Sequence, residues 1–123
     1  MPSKVAGRSI LIVEDEPLIA MEIVDAFKKA GALVTTTVSL KQALILVEHD
    51  GLAAAILDHA LGDSDSSQLC ERLRERDIPF VIYSGFSKIG GPCAEGPLVQ
   101  KPAPPDVLVA TVENLLSSKP DKT

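Results

Sequence analysis

Residues 9–16 read SILIVEDE, a short apolar run that stops at three consecutive acidic residues. A run of this length without polar alternation is typical of a strand buried on both faces of a parallel sheet. The pattern returns at residues 53–57, where the apolar run AAAIL stops at Asp58. The two runs predict parallel strands that each end in carboxylates.

Helical periodicity lies between and after the predicted strands. Apolar residues recur at helical spacing in four stretches, which predicts four helices. These helices run from Pro17 to a stop at Gly31, from a cap at Ser39 to Asp50–Gly51, from about Ser66 to Arg76, and onward from Pro104–Pro105. Further short strands are predicted at residues 32–38, 80–83 and 98–99. The alternation predicts an α/β fold, a doubly wound parallel sheet of five strands with helices on both faces.

Three segments carry further expectations for the fold. The apolar stripe of the first helix is predicted to lie in the core, and it consists of Leu18, Met21, Ile23, Val24 and Phe27. Residues 62–67 are polar and predict a loop. Residues 85–97 contain four glycines and two prolines. Because these residues break helices, we expect a loop or a frayed turn there, and a fourth helix that is reduced or irregular.

Length and charge exclude several classes of protein. The chain has 123 residues, which predicts one domain with a core over about residues 8–117, a polar tail at 118–123 and no output domain. A net charge of −5 repels phosphate backbones and anionic lipids. With no Trp and 3% aromatic residues, the chain also offers few rings on which bases could stack. We therefore expect neither a nucleic-acid partner nor a membrane partner.

The two cysteines and the N-terminus bear on the compartment. Cys70 and Cys93 form no C-x-x-C motif and are predicted to belong to neither a zinc site nor a disulfide framework. We expect a buried thiol at Cys70 on the third helix and an exposed thiol at Cys93 in the loop. The apolar run at residues 10–13 is too short for a signal peptide, since acidic residues interrupt it. These features predict a soluble, cytoplasmic protein.

Polar residues at the predicted strand ends form a candidate site. In an open parallel sheet the binding crevice lies beyond the carboxyl ends of the strands. Glu14, Asp15, Asp58, Ser84 and Lys101 follow or end four of the predicted strands. Three carboxylates in one crevice repel one another unless a hard cation lies among them, and Mg²⁺ prefers such oxygen ligands. A hydroxyl and an ammonium group beside them suit phosphoryl oxygens, so the set predicts Mg²⁺-dependent phosphoryl chemistry.

Four short segments in this order carry a family resemblance. The sequences ILIVEDEP at 10–17, AILD at 55–58, YSG at 83–85 and KP at 101–102 resemble the signature segments of the CheY-like receiver domain of bacterial two-component response regulators. The resemblance extends along nearly the whole chain and implies a flavodoxin-like sheet with strand order 2-1-3-4-5. The residues LG at 61–62 together with FVIYSGF at 80–86 resemble stand-alone receivers from alphaproteobacteria. Receivers of that subgroup are often partnered by histidine kinases of the HWE or related type.

The resemblance implies a role for each residue of the candidate site. Asp58 would be the phosphoacceptor and also a metal ligand, Asp15 a direct Mg²⁺ ligand, and Glu14 an acidic neighbour that acts on the metal partly through water. The backbone carbonyl of Ala60 would complete the protein's share of the coordination. Ser84 would supply the hydroxyl that follows the phosphoryl group.

Lys101 would be the counter-ion of the phosphoryl group in this family, and a cis peptide bond is implied before Pro102. The implied reaction is attack by the Asp58 carboxylate on a phosphohistidine of a histidine kinase or phosphotransferase, which gives an acyl phosphate. One departure from the family pattern concerns the coupling of phosphorylation to the output signal. The family usually has Tyr or Phe three residues before the lysine, where this chain has Leu98.

Three functions from different classes remain open at this stage. A stand-alone receiver would signal by protein contact or act as a phosphate sink. A small Mg²⁺-dependent phosphatase with Asp58 as nucleophile would need a second acid two residues on, where this chain has Ala60. A phosphorylation-independent pseudo-receiver would act by binding alone, and Leu98 is the feature that favours it.

Overall fold

Five parallel strands form the central sheet of the computed structural model, which describes residues 3–58, 60–61, 64–85 and 90–118. With a separate pair of short strands, β4 and β5, the described strands in chain order are β1 (Ser9–Val13), β2 (Leu33–Thr37), β3 (Leu52–Leu57), β4 (Ala60–Leu61), β5 (Ser64–Asp65), β6 (Phe80–Ser84) and β7 (Leu98–Gln100). The sheet has the order β2-β1-β3-β6-β7, and all its pairs are parallel. Counted along the chain, this is the predicted order 2-1-3-4-5, so the predicted fold class is confirmed.

Among the described residues, three α-helices and one 3₁₀ turn lie between strands, and a fourth α-helix follows the last strand. They are α1 (Pro17–Lys29), α2 (Leu40–Leu46), α3 (Ser67–Glu75), the 3₁₀ turn (Gly91–Glu95) and α4 (Pro105–Ser118). The predicted cap is confirmed, because the Ser39 side chain accepts a hydrogen bond from the Gln42 backbone N–H. The breaker-rich segment forms the expected turn in place of a full helix, although residues 86–89 lie outside the described residues.

Three boundaries differ from the sequence prediction. Residues 62–67 are predicted to form a loop, but Ser64–Asp65 within this segment form β5, which pairs with β4 as a short antiparallel ladder. The last helix, α4, ends at Ser118, one residue into the predicted polar tail at 118–123, and residues 119–123 lie outside the described residues. The core also begins earlier than residue 8, since Val5 is fully buried.

Apolar side chains alternate along the strands and form one cluster on each face of the sheet. Ile10 and Ile12 of β1 pack on the face covered by α1 and α4, whereas Leu11 and Val13 pack on the face covered by α2 and α3. This alternation is the period of two that a strand imposes on its side chains. Among the described residues, no helix is long and apolar enough to cross a membrane.

The first helix buries a narrower stripe than its sequence predicts. Ile23 and Phe27 are buried against the sheet, as expected for residues four apart on one helix face. Leu18 and Met21 are 76% and 66% exposed. The prediction that the whole stripe is core is therefore wrong for these two residues, because α1 packs on the sheet along one narrow face.

The prediction of two unconnected cysteines is also wrong. Cys70 of α3 and Cys93 of the 3₁₀ turn form a disulfide with a Cα–Cα distance of 5.1 Å, and both residues are fully buried. The pair is 23 residues apart in sequence, but the turn packs directly on α3 and brings the two side chains together. Cys93 is consequently not the exposed thiol that the loop composition suggested, and the cysteines give no support for a reducing compartment.

Candidate functional site

The carboxyl ends of β1 and β3 bring three acidic residues together. Val13 pairs with Leu57 at the end of both strands, so the residues that follow leave the sheet side by side. The Asp58 backbone N–H donates to the Val13 carbonyl at 2.9 Å. One carboxylate oxygen from each of Glu14, Asp15 and Asp58 lies within 4.8 Å of the other two. The predicted convergence of these carboxylates is confirmed.

The three carboxylates differ in their exposure. Glu14 is buried with 3% of its surface exposed, Asp58 is 8% exposed, and Asp15 is exposed. One oxygen of Glu14 accepts a hydrogen bond from the Glu16 backbone N–H at 3.1 Å, which fixes the orientation of this side chain. The cluster is therefore closed toward the sheet and open to solvent at Asp15.

Lys101, which follows β7, extends its ammonium group into the acidic cluster. The Nζ atom lies 3.0 Å from Glu14 Oε1 and 3.5 Å from Asp58 Oδ2, and 17% of the side chain is exposed. Burial alone would lower the pKa of Lys101. The hydrogen bond to Glu14 and the negative charges of Asp58 and Glu14 outweigh it, so the pKa is raised above its usual value. The side chain is thus held as a cation against two carboxylates.

Ser84 ends a strand beside Lys101, and Ala60 follows Asp58 closely in the sequence. Ser84 is buried and ends β6, and its carbonyl accepts the Lys101 backbone N–H at 2.7 Å. The serine and the lysine therefore leave adjacent strands side by side. Ala60 begins β4 two residues after Asp58, and the metal-binding role of its carbonyl stays a prediction.

Two further side chains support the site, and the sequence reasoning missed both. The hydroxyl of buried Ser66 donates to the Asp58 carbonyl, which ties the start of α3 to the end of β3. The Tyr83 hydroxyl donates to the Ala103 carbonyl and accepts from the Ala103 N–H, each at 3.1 Å. The Tyr83 ring centroid also lies 5.4 Å from Lys101 Nζ.

Tyr83 therefore contacts the chain on both sides of the Lys101–Pro102 peptide bond, which is cis as the resemblance implied. The sequence offers one signal for Tyr83, which is its position directly before Ser84 in a predicted strand. A residue that directly precedes Ser84 in a strand must face the opposite side of the sheet.

The donor chemistry of the cluster fits a magnesium ion. Among the described residues, the candidate ligands are oxygen atoms, and three carboxylates face one ammonium group, so negative charge is left in excess. Mg²⁺ is bound through one or two carboxylates and keeps water or phosphoryl oxygens in its remaining positions. The exposed side of the cluster at Asp15 leaves room for such ligands.

Comparison with known proteins points in the same direction as this geometry. A family model described as the response regulator receiver domain matches residues 10–91. The transcriptional regulatory protein TcrA of Mycobacterium tuberculosis is 32% identical over 75 residues, which cover 61% of this chain and 30% of TcrA. The chain thus spans under a third of the length of that relative.

Two solved structures share the arrangement of the sheet and its helices. SdrG from Sphingomonas melonis Fr1 is 38% identical with a TM-score of 0.77, and the match covers 89% of this chain and 97% of SdrG. The receiver domain of the sensor histidine kinase PA1611 from Pseudomonas aeruginosa PAO1 is 23% identical with a TM-score of 0.79, and the match covers 92% and 100%. That structure is described with a magnesium ion coordinated in its active-site cleft, and at this identity it supports the fold alone.

Proposed function

The chain belongs to the response regulator receiver domain family, and on this premise we propose that Asp58 accepts a phosphoryl group from a histidine kinase or histidine phosphotransferase in a Mg²⁺-dependent reaction. The observation that carries the proposal is the placement of Lys101 Nζ within 3.5 Å of Asp58 Oδ2, inside a cluster that includes Glu14 and Asp15. A nucleophilic carboxylate, a fixed cation and two further acids for a metal then lie at one edge of the sheet.

The proposed reaction forms a P–O bond to a carboxylate oxygen of Asp58. The P–N bond to the donor imidazole breaks, and its electron pair returns to the imidazole nitrogen. Lys101 is positioned to neutralise charge on the transferring group, since its ammonium already contacts the acceptor carboxylate. Glu14, Asp15 and Asp58 would hold Mg²⁺ with the Ala60 carbonyl, and the bound ion would supply positive charge to the phosphoryl oxygens.

The phosphoryl group would then act as a switch that is read by protein contact, or the chain would serve as a phosphate sink. Ser84 is the proposed hydroxyl that follows the phosphoryl group, because it ends the strand next to Lys101. Phosphoryl oxygens are strong acceptors that can draw such a donor and the chain behind it inward. We further propose that this receiver is cytoplasmic and acts as a stand-alone protein.

Leu98 favours a second candidate, the phosphorylation-independent pseudo-receiver. Its side chain is partly buried and packs on the apolar cluster beneath α3. An aliphatic side chain in this position has no ring to exchange between a buried and an exposed state, so the usual output coupling of the family would be absent. A phosphatase is not proposed, since Ala60 offers no carboxyl group two residues after Asp58.

Intact mass spectrometry tests the proposed phosphoryl acceptor directly. The chain is incubated with Mg²⁺ and acetyl phosphate, beside the variants Asp58→Asn and Asp25→Asn. Asp25 is a matched control, because it is an exposed carboxylate paired with Lys29 on α1, remote from the strand ends. We expect one phosphoryl adduct on the wild type and on Asp25→Asn, and none on Asp58→Asn or after Mg²⁺ is removed with EDTA.

Two results would contradict the proposal. An adduct that persists in Asp58→Asn would place the acceptor elsewhere in the chain. Absence of any adduct in the wild type, together with absence of Mg²⁺ binding by calorimetry, would support the pseudo-receiver instead.

A further inference from the structure

The Cys70–Cys93 disulfide joins α3 to the chain segment that leads into Lys101. Cys93 lies in the 3₁₀ turn, and β7 begins shortly after that turn and ends next to Lys101. The closed loop between the two cysteines also contains β6 and Ser84. The covalent link therefore anchors the connection between two residues of the proposed phosphoryl site.

Other contacts between the described part of this segment and its surroundings are of unequal strength. Arg74 Nη1 lies 3.2 Å from Glu95 Oε2, but both side chains are about half exposed, so the pair contributes little. Gly96 approaches Phe80 so closely that an added Cβ would lie 2.6 Å from its ring and its carbonyl oxygen. The disulfide is thus a covalent link added to local, non-covalent contacts.

A purely structural role for this disulfide would be unusual in such a chain. Disulfides stabilise small domains that cannot bury enough apolar surface, whereas this sheet has an apolar cluster on each face. In a cytoplasm that keeps thiols reduced, a disulfide is usually transient and redox-sensing. The redox-sensing role inferred here rests on the cytoplasmic location proposed above.

We propose that Cys70 and Cys93 are a redox modification site, at which a reversible disulfide clamps residues 90–97 onto α3. Reduction consumes two molecules of a thiol of the glutathione class. The first thiolate attacks one sulfur of the pair, breaks the S–S bond and forms a mixed disulfide, while the released cysteine takes up a proton. The second thiolate attacks the mixed disulfide, releases the other cysteine as a thiol and leaves the reductant as its own disulfide.

The reduced chain keeps residues 90–97 in place by non-covalent contacts, which include a hydrogen bond from the Ile82 backbone N–H to the Pro97 carbonyl at 2.9 Å. Both sulfurs are fully buried, so a thiolate reaches them only when the 3₁₀ turn lifts from α3. Once the link is cut, the same opening no longer meets a covalent restraint. Reduction therefore increases the opening of this segment and leaves α1, on the opposite face of the sheet, unchanged.

A glutathione titration of the full wild-type chain tests the modification site. The chain is equilibrated in mixtures of reduced and oxidised glutathione, once from the disulfide-bonded chain and once from the reduced chain. It is then denatured in N-ethylmaleimide, and its mass is measured by mass spectrometry. We expect two added maleimides in reduced glutathione, none in oxidised glutathione, and a midpoint between these limits. A pair that stays bonded in reduced glutathione is a structural disulfide. A pair that still takes up two maleimides after equilibration in oxidised glutathione forms no disulfide. Either result overturns the proposal.

Hydrogen exchange tests the clamp in the same samples. Amides of residues 90–97 are expected to exchange about tenfold faster in the reduced chain, with α1 amides as the internal reference. Equal exchange in both states overturns the clamp. The variant Cys70→Ala/Cys93→Ala should exchange like the reduced chain at every glutathione ratio, and a dependence on that ratio would contradict the assignment.

The thiol measurements need neither Mg²⁺ nor a phosphodonor. Asp58→Asn, which removes the proposed acceptor, should therefore titrate with glutathione like the wild type. Failure of phosphoryl uptake and failure of the redox site are thus observed separately.

Discussion

Replacing Lys101 with methionine should destabilise the fold, because it leaves buried carboxylates without their cation. The ammonium lies 3.0 Å from Glu14 and 3.5 Å from Asp58, and these carboxylates are 2% and 10% exposed as side chains. Removal of one partner from a fully buried ion pair costs about 3 to 5 kcal/mol. Lys101 itself is 17% exposed, and methionine keeps its apolar stem, so we expect a loss of about 2 to 3 kcal/mol.

Urea unfolding in EDTA measures this loss. For a chain of this size we expect the midpoint to fall by about 1 to 2 M with little change in slope. Lys29→Met is the matched control, since Lys29 pairs with Asp25 at 3.1 Å but the two side chains are 77% and 66% exposed. The control should lose at most about 0.5 kcal/mol. If both variants lose the same stability, the acidic cluster does not depend on Lys101 and the charge reasoning is wrong.

Metal binding and pH provide independent checks on the same interaction. Without the ammonium, the carboxylates repel one another more strongly, so Lys101→Met should bind Mg²⁺ more tightly than the wild type by calorimetry. The pKa of Lys101 is raised in the folded chain. Its contribution to stability is therefore complete below the unfolded pKa of about 10.4 and is lost as the pH rises through the higher folded value. The stability gap between the wild type and Lys101→Met should be constant from neutral pH to about pH 10 and shrink above it.

Two further substitutions test contacts that the sequence did not indicate. Gly96→Ala should cost about 1 to 3 kcal/mol in urea unfolding, because the new Cβ would lie 2.6 Å from the Phe80 ring and carbonyl, whereas Gly90→Ala has open space and should change stability by under about 0.5 kcal/mol. Equal costs at the two glycines would refute the close approach. Tyr83→Phe should cost about 1 to 2 kcal/mol, since it leaves both backbone groups of Ala103 without the hydroxyl that pairs with them, and an unchanged midpoint would show that water replaces this hydroxyl.

The positions of the site residues could be predicted because they depend on strand ends. Apolar runs that stop at Glu14 and Asp58 identify where two strands end, and parallel strands place those ends at one edge of the sheet. The same rule found Ser84 and Lys101. Distances could not be predicted in this way, since they depend on the register of each strand pair and on side-chain rotamers. The double hydrogen bond between Tyr83 and Ala103 is such a case, because it joins a strand to a loop 20 residues away.

Periodicity likewise indicated the direction of the helix faces but not their width. Leu18 and Met21 fit the apolar pattern of α1, yet both are exposed, because a helix on a sheet buries a stripe that depends on the neighbouring helices. The pattern alone holds no information about those neighbours.

The disulfide shows the same limit in a form that affects function. Cys70 and Cys93 are separated by 23 residues and follow no recognisable spacing, so their pairing depends on where the segment after β6 returns to α3. Breaker residues in that segment predicted a turn and suggested that Cys93 would be exposed. The turn instead packs against α3, and both cysteines are fully buried. A short turn in place of a full helix thus brings Cys93 into contact with α3. The disulfide to Cys70 then anchors the connection between Ser84 and Lys101 covalently.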